Sequence, residues 1–191
     1  MISDLVLSLF AFFFFFQHRL ANKKWSLFFL FMGFSSFVGA MYHGFFETYE
    51  LLRFLSWALF SAALIFAQLA AYQHDKNNFI KTTFVLKSIV LLFLSIQNTS
   101  FSFMVVDTIL SMFGFIVIGN LLYLKSLSKT ISYGIIISFL SVFVVVFHVS
   151  IHPEYITQND IGHYISIVSL AVMSKGVRED VLEGQLKVKV L

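Results

Sequence analysis

Residues 103–124 read FMVVDTILSMFGFIVIGNLLYL, with Asp107 the single charged side chain in the run. A bilayer core about 30 Å thick is crossed by about 20 apolar residues of helix, and a buried strand uses far fewer. A run of this length therefore predicts a helix whose solvent is lipid. Four runs precede it, at 2–16, 26–46, 52–72 and 79–96, and two follow it, at 131–147 and 160–174. The first and last are short for a span. The expected fold class is all-α: a polytopic membrane protein of seven transmembrane helices, with 1–175 as the transmembrane domain and 176–191 as a short cytoplasmic tail.

Composition agrees. The chain has 191 residues, 59% hydrophobic and 12% charged, against roughly 45–50% and 25% in soluble domains, so too little polar surface is left to face water. It has no Cys, which excludes disulfides and thiolate metal sites and leaves His, Asp and Glu as the only metal ligands. The net charge of +3 comes from Lys and Arg at the ends of apolar runs, a pattern of membrane loops and not of a nucleic-acid footprint. Membrane lipids are the expected partners and nucleic acid is not; oligomeric state is not encoded in any motif. The first run has no basic segment before it and no small-residue cleavage site after it, so it is expected to be a retained helix.

Short basic loops stay on the cytoplasmic side. Arg19, Lys23 and Lys24 occupy the first break, Lys76 and Lys81 the third, Lys125 and Lys129 the fifth, and Lys175, Arg178, Lys187 and Lys189 follow the last run. The second, fourth and sixth breaks carry acids or no charge, with Arg53 just inside the third run. This alternation requires an odd number of spans and places the N-terminus outside and the C-terminus in the cytoplasm.

With direction assigned, the ionisable residues fall into one layer near the outer face. His43 and Glu47 end the second helix, spaced i, i+4 on one face; Asp160 and His163 open the seventh, spaced i, i+3. His148, His152, Glu50, Arg53, Glu154 and Asn159 border the same zone, and Asp107 lies about one turn into the fifth helix. Each also has an ordinary explanation. Asp160 can cap its helix, Glu47 and Glu50 can be solvated loop acids, and Asp107 can pair with Arg53. His43 follows an almost wholly apolar run between Gly39 and Gly44, which permit close helix approach. Lys87 lies outside the layer and can extend toward the cytoplasm. Imidazole and carboxylate suit Zn²⁺, and a catalytic zinc keeps three protein ligands and a water. His43, Asp160 and His163 are the expected metal ligands, with Glu47 or Asp107 as general base or as hydrogen-bond partner of a ligand.

Residues 39–44, GAMYHG, and 159–163, NDIGH, resemble the paired motifs of an uncharacterised bacterial family of small polytopic membrane proteins. More distantly, a histidine in the second helix and further ligands in the seventh are similar to the superfamily of alkaline ceramidases and adiponectin receptors. That resemblance implies a zinc ion held by His43 and His163, with Asp160 as a substitute ligand, and hydrolysis of a lipid amide. The sequence departs from that pattern in having Gly39 where the superfamily has a Ser, and in having His163 without a second His four residues away. Residues 53–57, RFLSW, resemble the third helix of microbial rhodopsins, but Lys175 falls at a helix end instead of mid-membrane, which argues against retinal.

Three functions are therefore carried forward: a metal-dependent hydrolase acting on a lipid or amide at the outer leaflet, a noncatalytic sensor or assembly protein, and a small transporter with a carboxylate and histidine relay. The expected location is a bacterial inner (cell) membrane.

Overall fold

The computed structural model describes residues 2–124, 127–152 and 156–189; Lys125, Pro153 and Glu154 lie outside them, and so do the side chains of Lys187 and Lys189. Among the described residues the chain is helical throughout, with seven helices and one isolated bridge between His152 and Ile156. They are α1 (Ile2–His18), α2 (Lys23–Phe45), α3 (Glu50–Ala71), α4 (Asn78–Gln97), α5 (Ser102–Thr108), α6 (Lys129–Val146) and α7 (Gln158–Lys189). The fifth continues from α5 as two wider-turned segments, π1 (Ile109–Ile118) and π2 (Asn120–Leu124). Each expected run holds its helix to within a few residues at both ends, α7 excepted at its C-terminal end.

Five helices are long and apolar enough to cross a membrane, the mark of a membrane protein: Lys23–Phe45, Glu50–Ala71, Asn78–Gln97, Ser102–Leu122 and Lys129–Val146. α1 is apolar but shorter, at 17 residues. α7 runs unbroken through Ser174 to Lys189, so most of the expected tail continues the last helix. The burial pattern is that of a lipid-solvated bundle. Ser8, Ser61, Ser88, Ser95, Ser111, Ser169 and Ser174 are buried, while Phe13, Phe16, Phe93 and Phe143 are more than half exposed. Small hydroxyl side chains let membrane helices approach and bond to each other, and the apolar rings face the lipid.

Hydrogen bonds and ring contacts fix the packing order. Ser8 donates to Gly33 O and Phe14 meets Phe29, so α1 and α2 run antiparallel. Ser35 donates to Ser56 O, and Tyr72 packs on Phe84, which continues the alternation through α3 and α4. Phe113 against Phe139 joins the fifth helix to α6, and Ser169 donates to Gly134 O between α6 and α7. Seven alternating helices leave the first and last parallel. Ser3 bonds to Asp160 near one end and His18 to Ser174 near the other, so α1 and α7 are indeed parallel and close the ring. Among the described residues α4 packs mainly on α3 and the fifth helix, at the periphery.

Polar residues in the sequence breaks set the helix ends. Asn22, Asn77 and Ser128 cap α2, α4 and α6, accepting from Trp25 N, Phe79 N and Thr130 N. At the opposite end, α4 and α6 finish with Thr99 and His148 in the left-handed region, φ 50° and 52°. The next N–H closes each turn, Ser100 N to Ser95 O at 3.0 Å and Val149 N to Val144 O at 2.9 Å. Glycine is the favoured residue at this position. Thr99→Gly and His148→Gly are each expected to stabilise the protein by about 0.5–1 kcal/mol, more at the β-branched Thr99. Thermal unfolding in detergent checks this, and loss of stability at either site would contradict it.

Candidate functional site: a carboxylate–histidine chain between α1 and α7

The first turns of α1 and α7 meet side by side because the two helices are parallel, and their polar residues are thereby brought together. Ser3 Oγ donates to Asp160 Oδ1 at 2.6 Å and lies 3.0 Å from His163 Nδ1. The other ring nitrogen, His163 Nε2, lies 3.3 Å from Asp4 Oδ1. Asp4 and Ser3 are buried, at 6% and 1% exposure. The result is an unbroken chain of contacts, Asp4 to His163 to Ser3 to Asp160.

Asp160 divides its two oxygens between two tasks. Oδ2 accepts from Thr157 N at 3.0 Å and from Thr157 Oγ1 at 2.7 Å, while Thr157 Oγ1 faces Asp160 N at 3.4 Å. This is a reciprocal capping arrangement at the start of α7. Oδ1 is left for Ser3, so the capping role and the site role coexist in one carboxylate.

Counting protons shows what the chain can do. A serine hydroxyl has one hydrogen, and the short contact to the Asp160 carboxylate takes it. His163 Nδ1 must then donate to Ser3 Oγ. Its Nε2 can donate to Asp4 only when the ring carries both protons. A proton moving between Asp4 and His163 would be coupled to Asp160 by rotation of the Ser3 hydroxyl.

The expected ligands and bases are dispersed. Asp160 and His163 come together as the spacing implied. His43 is exposed in the last turn of α2, its ring edge-on to Tyr42 with centroids 5.0 Å apart. It shares a face with Gly39, where an added Cβ would lie 3.7 Å from Asp4 Oδ1, which puts it one turn beyond the chain. Among the described residues no three His, Asp or Glu converge closely enough to hold a metal ion. Both nitrogens of His163 are already engaged by Asp4 and Ser3, so these side chains as placed do not fit a zinc centre. Glu47 is exposed in the turn after α2. Asp107 is wholly buried with partners on α4 and its own helix, Lys87, Ser88 and Ser111. Arg53 pairs with Glu50 and lies over the Phe54 and Trp57 rings, so the alternative pairing of Asp107 with Arg53 is not formed. His148 and His152 are exposed, and His148 serves a helix end.

Ser3 and Asp4 were not among the expected site residues. The available signal was Asp4, the single charged residue within 2–16. A carboxylate one turn into an apolar helix has the same cost, and the same claim to function, as Asp107.

A sequence model of one family matches residues 1–181, from the start of α1 across the whole bundle. The chain belongs to a family of unknown function (DUF6962). The match takes in Ser3, Asp4, Asp160 and His163 alike. No curated protein and no solved structure matches the DUF6962 chain, so neither ceramidases nor adiponectin receptors enter by that route.

Proposed function

We propose that this chain is a seven-span membrane protein that transfers protons, with His163 passing them between Asp4 and Asp160 through Ser3. The run of close polar contacts through those four side chains, two of them hydrogen bonds of Ser3 and one the Asp4–His163 approach at 3.3 Å, carries the reading. Ionisable groups inside a membrane domain are costly, and lines of Asp, Glu and His are a common form of proton relay. Structural bonding alone gives a weak reason for the arrangement, because hydrogen bonds between membrane helices average about 0.6 kcal/mol.

The orientation that goes with this reading has the His163 end outside. Arg19, Lys23, Lys24, Lys76, Lys81, Lys129, Lys175 and Arg178 gather at the opposite end of the helices, which the positive-inside rule assigns to the cytoplasm. α1 and α7 count as spans here because they close the ring and each buries a face against its neighbours. A chain free of Cys suits a direct test with a membrane-impermeant maleimide on intact cells. Asn98→Cys is expected to label and Lys76→Cys to label only after lysis; the reverse would overturn the orientation.

Ser3, His163 and Asp4 also stand in the order of a nucleophile, a base and an orienting acid. Asp160 Oδ1, however, is nearer to Ser3 Oγ than the imidazole is, 2.6 against 3.0 Å, so the carboxylate competes with the base for the hydroxyl hydrogen. The relay therefore accounts for the geometry better than hydrolysis does.

The test is proton uptake by proteoliposomes holding a pH-sensitive dye, driven by a potassium diffusion potential. The native protein is expected to acidify the lumen faster than empty liposomes, His163→Ala and Asp4→Asn to return uptake to the empty-liposome level, and Ser8→Ala to leave it unchanged. Native protein indistinguishable from empty liposomes, or His163→Ala indistinguishable from native, would sink the relay.

A further inference from the structure

A second polar group lies away from the His163 chain, between the peripheral helix α4 and the fifth helix. Lys87 is the tenth residue of the 20-residue α4, which puts it at mid-span. Its ammonium bonds to Asp107 Oδ1, lies 2.5 Å from Ser111 Oγ and 3.2 Å from Ser88 Oγ. Ser88 and Ser111 in turn each donate to Asp107 Oδ1 at 3.0 Å. Three oxygens thus surround one positive charge on three sides.

Two observations set this group apart from a static ion pair. Asp107 is 0% exposed, yet its second oxygen, Oδ2, is buried without any hydrogen-bond partner. An ion pair kept for stability satisfies its remaining lone pairs, since an orphaned buried oxygen costs free energy. Half of this carboxylate is held ready and unused. In addition, the group sits where the helix changes pitch: Asp107 is in the last turn of α5, and π1 begins at Ile109 and includes Ser111. Such changes are common at functional positions.

We propose that Asp107, Ser88 and Ser111 form a monovalent-cation site in which the tethered ammonium of Lys87 and a free ion of sodium or potassium size alternate. Hard oxygen donors from a carboxylate and two hydroxyls suit such an ion, and Asp107 Oδ2 supplies the donor that the ammonium leaves unused. The charge count selects valence. With Lys87 withdrawn the site carries a single negative charge, so one monovalent ion neutralises it, whereas a divalent ion would leave a net charge in hydrocarbon. The Lys87 ammonium can swing off Asp107 by rotation about its flexible four-carbon stem, the Asp107 side chain being fully buried and that of Lys87 13% exposed.

Equilibrium binding of radiolabelled sodium and of radiolabelled rubidium to the full chain in detergent, in choline buffer at fixed ionic strength, tests this. The native protein is expected to bind one of the two ions at one per chain, Lys87→Ala to bind it more tightly, Ser111→Ala more weakly, and Asp107→Asn not at all. Should Asp107→Asn fail to fold, the opposite shifts of Lys87→Ala and Ser111→Ala decide the matter. No binding of either ion to native protein, including the case in which only Lys87→Ala binds, would overturn the proposal and leave a structural ion pair. Binding unaltered in His163→Ala would separate this site from the proton relay, and binding lost in His163→Ala but not in Asp107→Asn would place the ion elsewhere and overturn it too.

Discussion

Gly176→Ala and Gly134→Ala are each expected to lower stability by about 1–3 kcal/mol or more, although alanine is the better helix former by about 1 kcal/mol. The reason lies in the α6–α7 seam. A Cβ at Gly176 would stand 2.6 Å from Ile131 N, and one at Gly134 would stand 2.9 Å from both Met173 N and Ser169 O. Side chains can rotate out of the way, but these neighbours are backbone, so the two helices would have to separate along the contact. Ser169 Oγ donates to Gly134 O at 2.8 Å, and that bond would be strained as well. Gly162 is the internal control. It lies on α7 too, but a Cβ there would meet Val145 Cγ2 at 3.6 Å and Ser141 Cβ at 3.7 Å, ordinary packing distances. Gly162→Ala is therefore expected to be neutral or stabilising. Thermal unfolding of the three variants in one detergent checks the ordering, and equal effects at all three positions would refute the account.

The second large effect concerns Lys87 and Asp107. Removing one member of a buried ion pair leaves the other charge uncompensated, and such changes cost about 3–5 kcal/mol, whereas replacing both members by apolar residues of similar size is near neutral or stabilising. Lys87→Met in choline buffer is expected to show the large loss, and Lys87→Met with Asp107→Leu is expected to recover most of it. The Asp107 carboxylate is fully buried and the Lys87 side chain nearly so, which places the pair in the regime where solvent does not screen it. A double variant no more stable than Lys87→Met would show that the pair does not act as a unit.

Lys87 and Asp107 also show why the fold was easier to read than the sites. Each was visible as a charge inside an apolar run, but helix periodicity assigns a residue to a face and a depth, not to a partner. Lys87 could be drawn toward the cytoplasm and Asp107 toward Arg53 until the packing of α4 on the fifth helix put them in contact. The three expected metal ligands do not converge among the described residues, for a related reason. Asp160 and His163 share a face of one helix, and local geometry alone brings them together. His43 had to reach them from a different helix, and the register of α2 leaves it exposed one turn beyond.

Local physics determined the helices and their alternation. Runs of apolar residues near bilayer length must close their own backbone hydrogen bonds in lipid, which makes them helices. Polar breaks such as Asn22, Asn77 and Ser128 end them, and the Lys and Arg count carries the proposed sidedness. Tertiary structure alone decided what the polar groups do. The parallel contact of α1 with α7 set Ser3 and Asp4 against Asp160 and His163, and the turn of the fifth helix into π1 set Ser111 beside Asp107. Neither follows from sequence spacing, because the rotation and register of one helix against another depend on the summed fit of both surfaces, from the glycines where backbones touch to the serines that bridge them.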